Sequence, residues 1–132
     1  MFGLDPIPHN DRYVMAAEFT DLMQTLWREE RNVTASGRYW SLNEAYVSPK
    51  PVNGRPIMVS AASSDAGLSY ATRYSDLIFI TSPCGANISD ALGALPDYTR
   101  HIHAMAQAEG RQIRTLINPH VICRETEKEV EA

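Results

Sequence analysis

The junction between residues 56–61 and residues 62–67 constrains the fold more than any other feature of the chain. Residues 56–61 are largely apolar and predict a strand, whereas residues 62–67 are small or hydroxyl-bearing and predict the start of a helix. Ser64 is of the type that caps helices. A helix that begins directly after a strand leaves unpaired backbone N–H groups at its positive end, where phosphate groups bind in proteins.

The second half of the chain alternates between strand and helix patterns. The predicted elements are a strand at 56–61, a helix at about 65–75, a strand at 76–81, a helix from Pro96 to about Glu109 and a strand at about 113–122. Residues 82–94 are expected to form a loop with one helical turn after Asn87. Gly110 stands where a helix-terminating glycine is expected. Leu68, Ala71 and Tyr74 on the first helix, and Tyr98, Ile102 and Met105 on the second, predict the core faces. Apolar strands that alternate with helices indicate parallel βαβ units covered on both faces.

The first half of the chain predicts one long helix and an irregular hairpin. The helix is expected to begin at residue 12 or 13, after a cap at Asn10 or Asp11, and to end near residue 29 or 30. Its buried face is predicted to consist of Met15, Phe19, Leu22, Met23 and Leu26. Residues 32–51 alternate loosely between apolar and polar types and contain turn residues, which favours a short hairpin.

The fold class is therefore α/β, with three parallel strands. A closed eight-stranded α/β barrel takes about 250 residues, so a chain of 132 residues is expected to be an internal fragment of one such domain over residues 1–132. The alternative is a small three-stranded open sheet that is complete by itself. The charged residues 125–132 are expected to form a helical tail.

Composition excludes several classes of function. The chain has 12 basic and 16 acidic residues, a net charge of −4 and no basic stripe, so we expect no nucleic-acid partner. No apolar run reaches the length of a membrane span, and the amino terminus lacks the features of a secretion signal. Cys84 and Cys123 are too few for a disulfide framework or a zinc site and are expected to be half-buried. A cytoplasmic location is expected.

Three residues are candidates for binding a ligand. Ser64 has two interpretations: its hydroxyl caps the following helix, or the hydroxyl and nearby amides hold a phosphate. Arg12 lies near the start of the first predicted helix, where the dipole disfavours a cation, which hints at an anionic partner. Tyr13 is able to stack on a planar ring or to hydrogen-bond to it. A solvated Arg12 beside a half-buried Tyr13 is the structural alternative.

The histidines give a weaker signal. His101 and His103 are two residues apart on a predicted helix and point to different faces, so a metal site is not expected there. His120 follows Pro119 near the end of the third predicted strand. Because barrel enzymes place their chemistry at that end of the strands, His120 is a weak candidate site residue.

Several stretches together resemble the bacterial luciferase-like flavin monooxygenases. They are residues 11–13 (Asp-Arg-Tyr), 26–27 (Leu-Trp), 37–40 (Gly-Arg-Tyr-Trp), 47–51 (Val-Ser-Pro-Lys-Pro) and 62–67 (Ala-Ser-Ser-Asp-Ala-Gly). The resemblance extends over almost the whole chain in the same order. It is greatest for the branch that contains pyrimidine, alkanesulfonate and dimethyl-sulfone monooxygenases.

The resemblance implies a partial (β/α)8 TIM barrel in which reduced FMN binds at the carboxyl ends of the strands. It implies a two-component enzyme that uses O2 to oxygenate a small organic substrate and receives reduced FMN from a separate NAD(P)H-dependent flavin reductase. By the same resemblance, Arg12, Tyr13 and Ser64 contact FMN. Ala62 departs from the family pattern, which has glycine at this position and thus less hindered backbone approach to the ligand. A homo-oligomer is compatible with the resemblance.

Two alternatives remain open at this point. One is a non-catalytic module that binds flavin or phosphate, and the other is a deazaflavin-dependent oxidoreductase of the same barrel family. Since early and late barrel strands have no counterpart in the chain, we expect these 132 residues to be inactive by themselves.

Overall fold

A computed structural model describes residues 6–81, 87–118 and 123–126. Within these ranges the chain forms helices and short strands that alternate in its second half. In chain order the elements are α1 (His9–Arg28), β1 (Val33–Ser36), β2 (Ser41–Ala45), β3 (Val59–Ala61), α2 (Asp65–Tyr74), β4 (Leu77–Phe79), α3 (Ile88–Ala108) and β5 (Arg114–Leu116).

The strands β3, β4 and β5 form one parallel sheet in that order. Val59 pairs with Leu77, and Leu77 pairs with Arg114. Helix α2 lies between β3 and β4 in the sequence, and α3 lies between β4 and β5. The predicted βαβ units are therefore confirmed, although each strand is shorter than its sequence pattern suggested.

One face of this sheet packs against α2 and α3. The buried core contains Leu68, Ala71, Ile78, Ile80, Ile102, Ala106 and Ile113. Ile78 of β4 and Ile102 of α3 are both 0% exposed, and each such side chain contributes about 1.5–3 kcal/mol when it is buried. Tyr98 and Met105 pack against this core, so the predicted core face of the second helix is confirmed.

The opposite face of the sheet is apolar and open. Side chains alternate along a strand, so Val59 and Phe79 point away from the buried Ile78. They are 47% and 39% exposed, respectively, and Ala61, which pairs with Phe79, is exposed as well. Parallel sheets usually have both faces covered, whereas the described residues cover one.

Asp76 joins the amino ends of the three parallel strands. Its carboxylate accepts two hydrogen bonds of 2.6 Å from the guanidinium of Arg55. It also accepts one of 2.9 Å from the backbone N–H of Met58 and one of 3.3 Å from Arg111. The hydrogen bonds from Arg55 hold the pKa of Asp76 below its ordinary value, against the opposing effect of burial. A single carboxylate thus connects the segments that lead into β3, β4 and β5.

Helix α1 begins at His9, earlier than predicted, and ends at Arg28. The prediction of a cap at Asn10 or Asp11 is wrong, because Pro8 occupies the N-cap with an extended backbone (φ −51°, ψ 145°). The carbonyl of Pro8 accepts the N–H of Arg12 at 3.1 Å. The polar residues that suggested a cap therefore lie within the first turn, where the Asp11 carboxylate complements the helix dipole.

The predicted buried face of α1 is partly wrong. Leu26 is 8% exposed. Half-buried positions on this face are Met15, Leu22 and Met23. Phe19, however, is 46% exposed, and its ring packs against the similarly exposed ring of Trp40 in the hairpin at a centroid distance of 5.3 Å. The next residue, Thr20, takes the buried position instead and is 4% exposed.

Helix α3 begins at Ile88, not at Pro96 as predicted. Asn87 sets this start, since its side-chain oxygen accepts two backbone N–H groups of the first turn at 3.0 and 3.2 Å. Pro96 lies inside the helix and removes one hydrogen bond, to the carbonyl of Leu92. Leu92 is 69% exposed, so this turn faces solvent. Gly110 ends the helix with φ +68°, as predicted.

Strands β1 and β2 form the predicted irregular hairpin. They are antiparallel, and their register shifts between Val33 and Ala35. The turn between them lies on α1, because the indole N–H of Trp40 donates to the carbonyl of Met15 at 3.1 Å. The hairpin is therefore attached to the first helix and lies outside the parallel sheet.

Glu18 of α1 binds the hairpin turn. Its carboxylate accepts the backbone N–H groups of Arg38, Tyr39 and Trp40 at distances of 2.8–3.2 Å. Desolvation raises the pKa of Glu18, but these hydrogen bonds outweigh it, so the pKa lies below the ordinary value of 4.5. The ionised carboxylate is thus the form that holds the turn.

Some predictions lie outside the described residues. Strand β5 occupies Arg114–Leu116, whereas residues 119–122 of the predicted strand and the charged tail beyond residue 126 are not described. Among the helices of the described ranges, none has the length and apolarity that crossing a membrane requires.

We expect Gly37→Ala to destabilise the protein. A Cβ at this position would overlap the Glu18 carboxylate, with its Cδ 2.6 Å away, and would approach the Trp40 carbonyl to 3.2 Å. Glu18 would have to leave the turn, so the melting temperature should fall by about 5 °C or more. Thermal unfolding monitored by circular dichroism measures this change.

Gly93→Ala is the matched control. A Cβ at Gly93 meets nothing within 4 Å, and Gly93 lies in α3, where alanine is favoured over glycine by about 1 kcal/mol. This variant should be at least as stable as the parent. Equal melting temperatures for the two variants would contradict the role of Glu18 in the turn.

Candidate functional site

The amino terminus of α2 lies directly beyond the carboxyl end of β3. Ser64 is its N-cap, and the hydroxyl accepts the N–H of Gly67 at 3.2 Å. The carbonyl of Ser64 accepts the N–H of Leu68 at 2.8 Å. The N–H groups of Asp65 and Ala66, which come first in the helix, have no intrahelical partner. The capping interpretation of Ser64 therefore holds, and the same helix end presents two free amides.

Tyr13 of α1 reaches this helix end. A Cβ built on Gly67 would lie 2.7 Å from the Tyr13 hydroxyl, 3.0 Å from Ser64 Oγ and 3.1 Å from Ala62 Cβ. Both oxygens thus converge on the same point of the α2 backbone, and the glycine leaves the space for them. The structure brings together two of the three residues that the sequence nominated.

Two hydrogen bonds hold α1 against α2 and so position Tyr13. The side-chain oxygens of Thr20 and Tyr70 lie 2.7 Å apart, and Tyr74 donates to the Asp21 carboxylate at 3.1 Å. The Tyr70 ring lies 6.0 Å from the Tyr13 ring and 5.0 Å from the Tyr74 ring. Thr20 and Tyr74 are 4% and 5% exposed, whereas Tyr70 is half-buried and Asp21 is exposed, so both contacts are part-buried.

Arg12 is the third nominated residue. Its side chain is exposed, and in the described part of the chain it forms no ion pair or side-chain hydrogen bond. The structure does not bring its guanidinium into contact with Ser64. Arg12 is, however, adjacent to Tyr13 in α1, so an unpaired positive charge lies beside the residue that contacts the α2 terminus.

Sequence reasoning missed three residues that shape the site. Thr20 and Tyr70 join the two helices, and His9 packs edge-on against the Tyr13 ring at 5.3 Å. A signal for one of them was present, since Tyr70 and Tyr74 are four residues apart and share a helix face. No local pattern indicated that Thr20 would be their partner.

The other candidate residues add nothing to this site. Within residues 6–81, 87–118 and 123–126, no group of three His, Cys, Asp or Glu side chains is arranged to hold a metal ion. His120 and Cys84 lie outside the described residues. The prediction that Cys123 is half-buried is wrong: it is a free, exposed cysteine, and residues 123–126 form neither helix nor strand.

Comparison with known proteins identifies the family. The sequence profile of luciferase-like monooxygenases matches residues 1–132. The chain belongs to this family. The FMNH(2)-dependent dimethylsulfone monooxygenase of Pseudomonas fluorescens strain Pf0-1 is 29% identical over 126 residues, or 96% of this chain and 32% of the relative. Pyrimidine monooxygenase RutA of Caulobacter vibrioides strain NA1000 / CB15N is 30% identical over 125 residues, or 94% of this chain and 33% of the relative.

The solved structures support the fold. EDTA monooxygenase (EmoA) from Chelativorans sp. BNC1 superposes with a TM-score of 0.77 at 23% identity, over 98% of this chain and 34% of that one. The predicted partial luciferase-like barrel is thus confirmed. The described residues contribute three parallel strands of such a barrel, and these form an open sheet. The chain spans about one third of the length of these relatives.

We expect Tyr74 to couple stability to alkaline pH. Burial, together with the hydrogen bond to Asp21, raises the pKa of Tyr74 from the ordinary 10.0 to about 12. The neutral phenol is therefore the form that the fold favours. Its stabilising effect is complete below pH 10 and is lost as the pH rises through about 12.

Ultraviolet absorbance of tyrosinate during an alkaline titration measures this effect. Tyr74→Phe should remove one late-titrating tyrosine and flatten the loss of stability between pH 10 and about 12. Tyr46→Phe is the control, since Tyr46 is 46% exposed and its loss should leave the late step in place. If the late step survives in Tyr74→Phe, the assignment is wrong.

Proposed function

We propose that this chain is the part of a two-component, FMN-dependent monooxygenase that binds the phosphate end of reduced FMN. The proposed ligands are the hydroxyl of Ser64, the free amides of Asp65 and Ala66, and the side chains of Arg12 and Tyr13. The convergence of Tyr13 and Ser64 at Gly67 is the observation that supports this proposal most directly.

The residues at this helix end fit a phosphate group. The amides of Asp65 and Ala66 lack intrahelical partners, and the positive end of the α2 dipole favours an anion. Gly67 has no side chain to block the approach. Ala62, which replaces the glycine of the family pattern, packs partly buried against the core, and its Cβ lies close to the Gly67 backbone.

Each residue has a distinct task in the proposal. Ser64 and the amides bind and orient the phosphate, while the guanidinium of Arg12 supplies charge that matches an oxyanion. Tyr13 presents a ring and a hydroxyl to the cofactor beside the phosphate. When it is bound, FMN supplies the oxygen chemistry, and the protein binds and shields it.

The proposal extends to substrate and partners by way of the relatives. One relative is named for dimethylsulfone and another for pyrimidine, so we propose a small organic substrate that is oxygenated with O2. An FMNH(2)-dependent relative supports delivery of reduced flavin by a separate NAD(P)H-dependent reductase. The proposal includes a cytoplasmic location and is compatible with a homo-oligomer.

We also propose that residues 1–132 form an internal part of one barrel domain. The open apolar face of the sheet, with Val59 and Phe79 exposed, is the face that further strands of a barrel would enclose. The share of about one third of the relatives' length agrees with this. The chain alone should therefore lack an enclosed site.

Oxygen consumption tests the function. The complete protein, supplied with FMN, NAD(P)H and a flavin reductase, should consume O2 in a substrate-dependent manner when sulfones, sulfonates and pyrimidines are screened. The 132-residue chain under the same conditions should show the rate of the reductase alone. Substrate-dependent uptake by the short chain would contradict the proposal that it is a part of the active domain.

The same assay separates the alternatives. Hydride transfer with a deazaflavin and no oxygen uptake would identify the complete protein as an oxidoreductase. Flavin binding without turnover on any substrate would identify a binding module. Each of these results would overturn the monooxygenase proposal.

We expect Ser64→Ala to weaken FMN binding by the complete protein by about 1–2 kcal/mol, the value of a charge-assisted hydrogen bond. Fluorescence quenching of FMN measures the dissociation constant. Ser64→Ala also removes a helix cap, which costs about 1 kcal/mol of stability. Ser64→Thr keeps the hydroxyl, so this variant should retain most of the affinity for FMN and most of the stability.

Asn87→Ala is the matched control for the loss of a cap. The side-chain oxygen of Asn87 accepts two backbone N–H groups in the first turn of α3, and Asn87 takes no part in the proposed site. This variant should lose a similar amount of stability and keep its affinity for FMN. If Ser64→Ala keeps its affinity as well, the phosphate assignment is wrong.

A further inference from the structure

A polar cavity lies at the amino ends of the parallel strands, the opposite end of the sheet from Ser64. It has a volume of about 280 Å³ and is lined by Gln24, Arg55, Arg73, Tyr74 and Arg111. Three of these five side chains are guanidinium groups, and none is a carboxylate. A neighbouring cavity, of about 290 Å³, shares Gln24 and Arg55 and adds the guanidinium of Arg28.

The arginines are held in place by one shared carboxylate. Asp76 binds Arg55 through both of its oxygens at 2.6 Å. Arg111 donates to Asp76 and to the carbonyl of Thr72, each at 3.3 Å. These hydrogen bonds hold both guanidinium groups in place. The side chain of Arg55 is 35% exposed and that of Arg111 is 23% exposed. One negative charge holds two positive ones.

Arg73 adds a third positive charge that has no carboxylate partner in the described parts of the chain. Its guanidinium lies 5.3 Å from the centre of the Tyr74 ring. The other carboxylate near this cavity, Asp21, accepts the hydroxyl of Tyr74. The cavity therefore has an excess of positive charge and guanidinium donors that are not saturated.

We propose that this cavity binds a small divalent oxyanion of the phosphate or sulfate class. Guanidinium groups bind such anions through paired N–H donors, and the amide of Gln24 offers a further donor. A tetrahedral oxyanion fits within this volume. Arg73 is the residue that supplies the unsatisfied charge.

This site is separate from the proposed cofactor site. Asp76, Arg55 and Arg111 precede the strands of the sheet, at their amino ends, whereas Ser64 follows the carboxyl end of β3. The phosphate of a flavin bound at Ser64 does not reach the amino ends of the same strands. The inference consequently does not depend on the proposed function.

Isothermal titration of the complete protein with inorganic phosphate, at constant ionic strength set with chloride, tests the inference. We expect saturable binding with sulfate as a competitor. Arg73→Gln should weaken the binding by about tenfold or more, the effect of losing a charge-assisted hydrogen bond. Arg73→Lys should weaken it less, because it keeps the charge and loses the planar fork. Arg73 is exposed and outside the Asp76 network, so its substitution leaves the fold intact.

Two further measurements make the result decisive. Arg100→Gln removes an exposed arginine that pairs with Asp97 and should leave phosphate binding unchanged. The titration is repeated with FMN in excess, which occupies the proposed site at Ser64, and phosphate binding at the arginine cavity should be unchanged. Loss of binding with FMN in excess, together with retention in Arg73→Gln, would show that phosphate occupies the α2 terminus and would overturn the inference. The absence of any saturable heat would overturn it too.

Discussion

The Asp76 carboxylate is the constraint on which the architecture of the second half depends. It accepts hydrogen bonds from residues that lead into β3 and β5 and itself leads into β4. Asp76 thus holds the amino ends of the three strands together, and the strands pair in register, with Val59, Leu77 and Arg114 side by side. This register sets the position of the carboxyl end of β3 and hence of the start of α2 relative to the core.

The candidate site then forms where α1 crosses the start of α2. The contact between Thr20 and Tyr70, together with the hydrogen bond from Tyr74 to Asp21, joins the two helices. Gly67 permits the final approach of the Tyr13 hydroxyl. Helix α1, which lies outside the sheet, therefore supplies Tyr13 to the α2 terminus. The site is a property of helix packing as much as of the sheet.

Features governed by neighbours in the sequence were predictable. Ser64 as a cap, Gly110 as a helix terminator and the parallel direction of the strands all follow from local pattern. The start of α1 was mistaken because the extended backbone of Pro8 competes with the side-chain caps that follow it. The start of α3 was mistaken because Asn87 caps the helix well before Pro96, and the helix then continues through the proline. In both cases two local signals conflicted, and their relative strength was not evident from the pattern.

Long-range contacts were beyond the sequence pattern. Phe19 fits a buried helix face by spacing, yet its ring lies at the surface against Trp40 of the hairpin, and the small polar Thr20 is buried instead. The bond between Arg55 and Asp76 joins residues in two different loops. The resemblance to a family nominated Tyr13 and Ser64, but their meeting at Gly67 depends on the angle between two helices, which no spacing rule describes.

The separation of Tyr13 and Ser64 along the chain has a thermodynamic consequence. A molecule that touches both is bound by the native state alone, since an unfolded chain does not keep these residues together. Its binding free energy is then added to the free energy of folding, in proportion to the logarithm of its concentration relative to its dissociation constant. A molecule bound at the α2 terminus would thus link α1 to α2 and raise the free energy of unfolding. In a cell that contains little of that molecule, the protein would be less stable.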